Sequence, residues 1–120
     1  MSRLIVGGIN IAMKVPAHQY EAVVAFYRDT LGLEPFTDKP GNVGFIYGQN
    51  RLWLDKVENY TQAEVWLELF TPDFAAAADQ LGAAGVVRND AIEDLGEDFR
   101  GGWFINPAGI VHMVREPDAW

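Results

Sequence analysis

The residues best suited to chemistry in this sequence are two tryptophan–carboxylate pairs. Trp53 is followed two residues later by Asp55, and Trp66 is followed two residues later by Glu68. Both pairs lie in runs that alternate apolar and polar residues, so each carboxylate shares a strand face with its tryptophan. An indole face attracts organic cations, a partly desolvated carboxylate adds to that attraction, and such a carboxylate can also serve as a general base.

Other catalytic chemistry finds little support in the sequence. It contains no cysteine, which excludes disulfides and thiol nucleophiles, and no serine nucleophile motif of the hydrolase type. We expect His18, at the start of a predicted helix, to lie at the surface, and His112, on a predicted strand, to lie in packing or at an interface. An acidic run is typical of a solvated surface, with metal binding as the alternative. This run comprises Asp90, Glu93, Asp94, Glu97 and Asp98.

The composition is that of a compact acidic protein. The chain has 120 residues, of which 49% are hydrophobic, and this is enough for one compact unit or for two half-domains that share a core. The net charge of −8 disfavours nucleic acid as a partner; it either steers cationic ligands or only provides solubility. No apolar run approaches the roughly 20 residues of a membrane helix, and the N-terminus does not resemble a signal peptide. We therefore expect no membrane partner and a cytoplasmic location.

The elements that position the candidate residues occur as a repeat. Two amphipathic helical segments, at 17–35 and 72–87, each contain a glycine stop and run into a short apolar strand. Each helix is preceded by one strand-like run and followed by two more. The longer predicted strands are Ile9–Val15, Val43–Tyr47, Leu52–Val57, Val65–Phe70, Trp103–Ile105 and Ile110–Val114. The sequence therefore predicts an α+β fold with two βαβββ modules, at about residues 5–58 and 63–116 of a single domain spanning 1–120.

Local patterns separate the faces of these elements. Odd-numbered residues of the first strand, such as Met13, face one way, and even-numbered residues, such as Lys14, face the other. The first helix has an apolar stripe formed by Tyr20, Val23, Val24, Tyr27 and Leu31. The second helix has a stripe formed by Phe74, Ala77, Ala78, Leu81 and Ala84. We expect Thr71 to cap the second helix and Gly85 to end it.

Two segments of the sequence resemble a known superfamily. VAFYRDTLGLEPF looks like the first helix–strand signature, and FINPAGIVHMV like the closing hairpin, of the glyoxalases, bleomycin-resistance proteins and extradiol dioxygenases, which share the vicinal oxygen chelate fold. The resemblance covers essentially the whole chain. It implies that each βαβββ module forms a cup-shaped half-barrel. It also implies a homodimer, because members of this family usually pair modules within or across chains.

The resemblance also locates the metal ligands of the catalytic family members. Those members hold a divalent metal in the cup through histidine, glutamine or glutamate. Carried over by position, the ligand positions fall on Asn10, Trp53, Trp66 and Met113. These residue types do not form a metal site. We therefore expect no metal and no cofactor, and the metal-dependent activities of the superfamily are not expected here.

The face pattern and the resemblance together place indoles, carboxylates and a thioether inside the cup. The predicted ligand-binding residues are Asn10, Trp53, Asp55, Trp66, Glu68, Trp103 and Met113. We predict a metal-independent protein that binds a cationic or aromatic small molecule, similar to bleomycin-resistance proteins. One alternative is a lyase or isomerase that uses Glu68 or Asp55 as general base. The other is an interaction module in which the tryptophans fill the cup or bury a subunit interface.

Overall fold

A computed structural model of the chain describes residues 3–37 and 41–117. The strands in this part of the chain are β1 (Val6–Gly7), β2 (Asn10–Pro16), β3 (Val43–Tyr47), β4 (Asn50–Val57), β5 (Glu64–Phe70), β6 (Val87–Arg88), β7 (Gly101–Ile105) and β8 (Val111–Arg115). The helices are α1 (Tyr20–Ala25) and α2 (Phe74–Ala83). Within the described residues, no helix has the length and apolarity needed to cross a membrane.

The described residues form two compact units. The N-terminal unit comprises residues 9–66, and the C-terminal unit comprises residues 3–8 together with residues 67–117. Strand β5 begins in the N-terminal unit and ends in the C-terminal unit. The module boundaries expected from the sequence stay a prediction.

Both units build their sheet in the same strand order. In the N-terminal unit, β2 pairs in parallel with β4, which pairs antiparallel with β3. In the C-terminal unit, β5 pairs in parallel with β8, which is followed by the antiparallel neighbours β7 and β6. The counterpart of β6 in the N-terminal unit is reduced to a bridge between Pro35 and Phe45. The predicted α+β fold with a repeated βαβββ order is confirmed, and β1, which the sequence pattern does not predict, pairs antiparallel with β5.

The core of the N-terminal unit lies between its sheet and α1. Its buried members are Val15, Phe45, Leu52 and Leu54, and the predicted stripe from Tyr20 to Tyr27, on α1 and the turn that follows it, packs against them. Leu31, which was expected on the same stripe, is 48% exposed. The reason is the winding of this segment, since a 3₁₀ turn at Ala17–Gln19 precedes α1 and a π turn at Phe26–Thr30 follows it. The wider π turn rotates the residues that follow it away from the regular α stripe.

The core of the C-terminal unit lies between its sheet and α2. Ala77, Phe104 and Val114 are buried there, and small alanines let the helix pack closely. The predicted N-cap at Thr71 is wrong: Asp73 is the cap, and its Oδ1 accepts a hydrogen bond from the backbone N–H of Ala76 at 3.1 Å. The Thr71 hydroxyl instead accepts from the N–H of Asp73 at 3.2 Å. Threonine and aspartate are both good caps, so composition alone does not choose between them.

Candidate functional site

In each unit, the sheet face opposite the helix carries the residues predicted to bind a ligand. Leu52 and Leu54 belong to the core of the N-terminal unit, so Trp53 and Asp55 project from the opposite face. Val114 belongs to the core of the C-terminal unit, and the same alternation applies to its neighbour Met113. We call these surfaces the helix-free faces. The N-terminal face carries Asn10, Trp53, Asp55 and Trp66, and the C-terminal face carries Glu68, Trp103 and Met113.

Two indoles flank a small residue on the helix-free face of the N-terminal unit. The strand register places Trp53 of β4 and Trp66 of β5 directly opposite Ala12 of β2, one on each side. Ala12 and Trp53 are half-buried, whereas Trp66 is buried. The two tryptophans are two strand spacings apart at the backbone, or about 10 Å. We call this position, between Trp53 and Trp66 over Ala12, the indole slot.

Trp53 is held in a fixed orientation by its neighbours. Its Nε1–H donates a hydrogen bond to Oδ1 of Asn10 at 2.8 Å. The ring of Phe36 packs against it edge to face, with centroids 4.6 Å apart, and the Arg51 guanidinium lies 5.5 Å from the Phe36 centroid. Phe36 can occupy this place because Gly44 pairs with Trp53 in the sheet, and a Cβ at Gly44 would clash with the Phe36 ring. The slot therefore has one preorganised aromatic wall.

The Trp66 side of the slot contains a buried lysine. Lys14 is 6% exposed, its Nζ lies 2.9 Å from Oδ2 of Asp55, and the same atom lies 4.2 Å from the centroid of the Trp66 ring. Oε2 of Glu64 accepts hydrogen bonds from the Trp66 indole at 2.8 Å and from the Tyr60 hydroxyl at 3.1 Å. A buried ammonium needs such partners, because its desolvation is otherwise too costly. The carboxylate of Asp55 is thus already paired with a cation of the protein.

Glu68 lies in a tight cradle in the C-terminal unit. The register aligns Glu68, Met113 and Trp103 in one row across β5, β8 and β7. The side chain of Glu68 is 5% exposed, and its Oε2 lies 3.9 Å from a guanidinium nitrogen of Arg115. The N–H of Gly8 donates to the Glu68 carbonyl at 2.8 Å, and a Cβ at Gly8 would lie 2.7 Å from the Glu68 side chain. The backbone of Gly8 therefore covers this carboxylate from one side.

Trp103 is tied into the loop that precedes its strand. It is 4% exposed, and its Nε1–H donates to the carbonyl of Glu93 at 2.8 Å. Its backbone N–H donates to Oδ1 of Asp90 at 3.0 Å. The hydrogen bond from Arg88 is the largest of the contributions that lower the pKa of Asp90, and the N–H of Trp103 adds to it. Asp90 in the acidic run thus has a structural partner in this loop.

A separate groove lies on the helix-bearing side of the N-terminal unit. It has a volume of about 460 Å³ and is mostly apolar. His18, which the sequence placed at the surface, is exposed at its rim. The lining residues are Met13, His18, Gln19, Ala22, Val23, Phe26 and Tyr27. Since Met13 projects from the opposite side of β2 to Ala12, this groove is distinct from the indole slot.

No protein-family model matches the sequence, and no curated protein does so either. Solved structures do match. A methylmalonyl-CoA epimerase from Mycobacterium tuberculosis superposes with a TM-score of 0.65 at 15% identity, over 99% of this chain and 93% of that chain. A glyoxalase/bleomycin resistance protein/dioxygenase superfamily member from Vibrio splendidus 12B01 superposes with a TM-score of 0.63 at 10% identity, over 93% of this chain and 100% of that chain. The Mn(II)-bound glyoxalase from Novosphingobium aromaticivorans superposes with a TM-score of 0.63 at 20% identity, over 97% of this chain and 42% of that chain.

The chain has the glyoxalase/bleomycin-resistance/dioxygenase fold. This confirms the fold that the two sequence segments predicted. At these identities the likeness shows the fold alone.

The residues at the expected ligand positions do not fit the metal that this fold holds in the Mn(II)-bound glyoxalase. The amide oxygen of Asn10 accepts the Trp53 indole N–H, and Trp66 and Met113 offer neither an oxygen nor an imidazole donor. Within residues 3–37 and 41–117, no group of three or more His, Cys, Asp or Glu side chains is arranged to hold a metal ion. We therefore derive no step through a metal, and metal-independent binding stays a proposal.

Sequence reasoning missed three residues that shape the slot. Alternation in β2 puts Lys14 on the helix-free face, but nothing local pairs it with Asp55, which is 41 residues away. Glu64 begins β5 one residue before the predicted strand. Phe36 follows the first helix outside any predicted strand, and its one signal is Gly44, since a glycine inside a strand often marks a close approach.

Proposed function

We propose that this chain is a metal-independent binding protein for small aromatic molecules, and that the ligand ring lies in the indole slot. The observation that carries this proposal is the register that sets Trp53 and Trp66 on either side of the half-buried Ala12. Aromatic pairs contribute about 0.5–1.5 kcal/mol each beyond the area they bury, so two indole contacts can anchor a small ring. The fixed orientation of Trp53 lowers the ordering cost of binding.

The geometry supports binding more than metal chemistry. Trp53 is held by Asn10 and Phe36 without being buried, as expected for a recognition surface rather than a core residue. Trp103 is not carried into the proposed site, because it belongs to the other unit and its indole N–H donates to the backbone of its own loop. The proposal therefore uses the N-terminal unit alone.

Isothermal titration calorimetry with naphthylmethanol tests this function. We expect a dissociation constant in the millimolar to micromolar range for the wild-type protein and loss of measurable heat in Trp53→Leu. Trp103→Phe serves as the control, because it removes an indole of the other unit while keeping an aromatic ring. Absence of binding to the wild-type protein would contradict the proposal, as would equal binding by the wild-type protein and Trp53→Leu.

An enzyme with Glu68 or Asp55 as general base is the second candidate, and one observation favours it. Glu68 is a buried carboxylate beside an arginine, an environment in which enzymes hold ionised bases. A solved structure with the same fold is named a methylmalonyl-CoA epimerase, so methylmalonyl-CoA is a direct probe. Proton exchange at its C–H in deuterated water, abolished in Glu68→Gln, would support the enzyme. Asp55 is the poorer candidate, because its carboxylate is already paired with Lys14 at 2.9 Å.

A further inference from the structure

We infer that Lys14 sets the charge class of the ligand, so that the indole slot accepts uncharged aromatic molecules and rejects organic cations. This inference rests on the proposed function. It also reverses the preference for cations that the tryptophan–carboxylate pairs suggest in the sequence, because the position of a bound cation is already filled by a side chain of the protein.

The contacts of Lys14 are those that a cationic ligand would need. Its ammonium lies over the Trp66 ring at 4.2 Å and pairs with the Asp55 carboxylate at 2.9 Å. In the sheet, Lys14 pairs with Asp55 on one side and with Glu64 on the other. An external ammonium would use the same indole face and the same carboxylates. It must therefore displace Lys14 or lie beside a like charge.

The internal cation holds the advantage over a free ligand. Lys14 is attached to β2, so its association with Asp55 and Trp66 costs no translational freedom, whereas a free cation loses that freedom on binding. The Lys14 side chain is also buried, so its attraction to Asp55 and Trp66 is weakly screened by solvent and is hard for a free cation to replace.

Anionic ligands meet the opposite obstacle. The same end of the slot carries Asp55 and Glu64, and the chain as a whole has a net charge of −8. The Lys14 ammonium is shared with Asp55, so it offers an incoming anion little uncompensated charge. A neutral ring avoids both obstacles at the Lys14 end of the slot and still contacts the indoles. The ligand class that fits is an uncharged aromatic compound.

Calorimetry with three matched probes tests the inference: naphthylmethanol, naphthylmethylammonium and naphthoate. For the wild-type protein we expect naphthylmethanol to bind at least about tenfold more tightly than either charged probe. Lys14→Met should raise the affinity for naphthylmethylammonium by about tenfold, because it frees the Trp66 face and the Asp55 carboxylate. Asp55→Asn should instead raise the affinity for naphthoate, because it removes the negative charge that lies 2.9 Å from the Lys14 ammonium.

Lys56→Met is the matched control. Lys56 lies on β4 beside Asp55, but it is exposed and faces the helix side, with its Nζ 6.0 Å from the Tyr20 ring. Lys56→Met changes the net charge by the same amount as Lys14→Met, but it does not alter the slot. If no probe binds the wild-type protein, the proposed function and this inference both fail. If the ammonium probe binds the wild-type protein most tightly, or if Lys14→Met and Lys56→Met respond alike, only this inference fails. If Lys14→Met does not fold, as circular dichroism would show, an unchanged affinity of Asp55→Asn for naphthoate overturns it.

Discussion

Trp53 and Trp103 lie on different strands of the repeated order, since Trp53 is on β4, which pairs in parallel with β2, and Trp103 is on β7, the antiparallel neighbour of β8. Each lies on the helix-free face of its unit, and each donates its indole N–H in a hydrogen bond of 2.8 Å. The acceptor of Trp53 is the Asn10 side chain, and the ring stays half-buried. The acceptor of Trp103 is the Glu93 backbone carbonyl, and the ring is 4% exposed. The helix-free face of the N-terminal unit therefore presents its indole, whereas that of the C-terminal unit encloses Trp103.

The difference in exposure between the two indoles comes from the segment that precedes the antiparallel strand pair of each unit, β3–β4 or β7–β8. In the C-terminal unit, Asn89 donates its backbone N–H to the Trp103 carbonyl at 3.0 Å, and Asp90 accepts the Trp103 N–H. These bonds tie the loop along the strand, so the loop holds the indole. In the N-terminal unit, Phe36 lies on Gly44 and its ring meets the Trp53 ring in a T-shaped contact. A loop therefore encloses Trp103, whereas the segment that carries Phe36 leaves Trp53 half-buried.

The largest effect is expected from truncating the two tryptophans. Trp103→Ala should lower the free energy of unfolding by about 3–5 kcal/mol, because it leaves a cavity under a tied loop. Trp53→Ala should cost clearly less stability, since its ring is half-buried, but should abolish naphthylmethanol binding. Urea unfolding and calorimetry of the two variants provide the measurements. Equal stability losses, or binding lost in Trp103→Ala while that variant is folded, would remove the distinction between the two indoles.

A smaller effect is expected from Gly44→Ala. The added Cβ would clash with the Phe36 ring, and overpacking of this kind costs about 1–3 kcal/mol of stability. Displacement of Phe36 should also loosen Trp53 and weaken naphthylmethanol binding. Gly7→Ala on β1 is the control, because a Cβ there has no atom within 4 Å. If Gly44→Ala behaves like Gly7→Ala in both measurements, Phe36 is not the support of the Trp53 wall.

The smallest effect concerns pH and the loop that encloses Trp103. The Arg88 hydrogen bond lowers the pKa of Asp90 in the folded state, so the ionised carboxylate stabilises the fold above its ordinary pKa of about 4. This contribution is lost as the pH falls through the lowered pKa. Asp90→Asn should therefore be less stable than the wild-type protein near neutral pH, and the difference should shrink in acid. The Asp90 side chain is 46% exposed, so solvent screening limits the effect to at most about 1 kcal/mol.

Urea unfolding at neutral and acidic pH measures this difference. Asparagine can still accept the Trp103 N–H, so the variant isolates the charge. Asp79→Asn, on the exposed side of α2, is the control for removing a carboxylate. A stability difference between Asp90→Asn and the wild-type protein that does not change with pH would show that the Asp90 charge does not hold this loop.

The sequence predicts the features that repeat with a short period, namely which residues of a strand or a helix share a face. Alternation in the strands places Trp53, Trp66 and Lys14 on the helix-free faces, and helical spacing identifies the stripe of α2. Contacts set by register are not local. The pairing of Lys14 with Asp55 spans 41 residues and depends on which strands are neighbours. For that reason the sequence suggests a site for cations, whereas the structure shows a lysine in the cation position.

The winding of the first helix lies beyond sequence reasoning for a different reason. Its apolar spacing fits one continuous α-helix, but the chain passes from a 3₁₀ turn through α1 into a π turn, and Leu31 becomes exposed. Such changes in winding follow from packing of the whole segment on its sheet rather than from residue propensities.

The central claim is that the ligand ring lies over Ala12 rather than in the groove on the helix-bearing side. Ala12→Leu would fill the indole slot, and Ala22→Leu would fill that groove by the same added volume. Both positions are half-buried or exposed, so both variants should fold. We predict that Ala12→Leu loses naphthylmethanol binding in calorimetry, whereas Ala22→Leu binds as the wild-type protein does. Binding that survives in Ala12→Leu, or that is lost in Ala22→Leu instead, would contradict it.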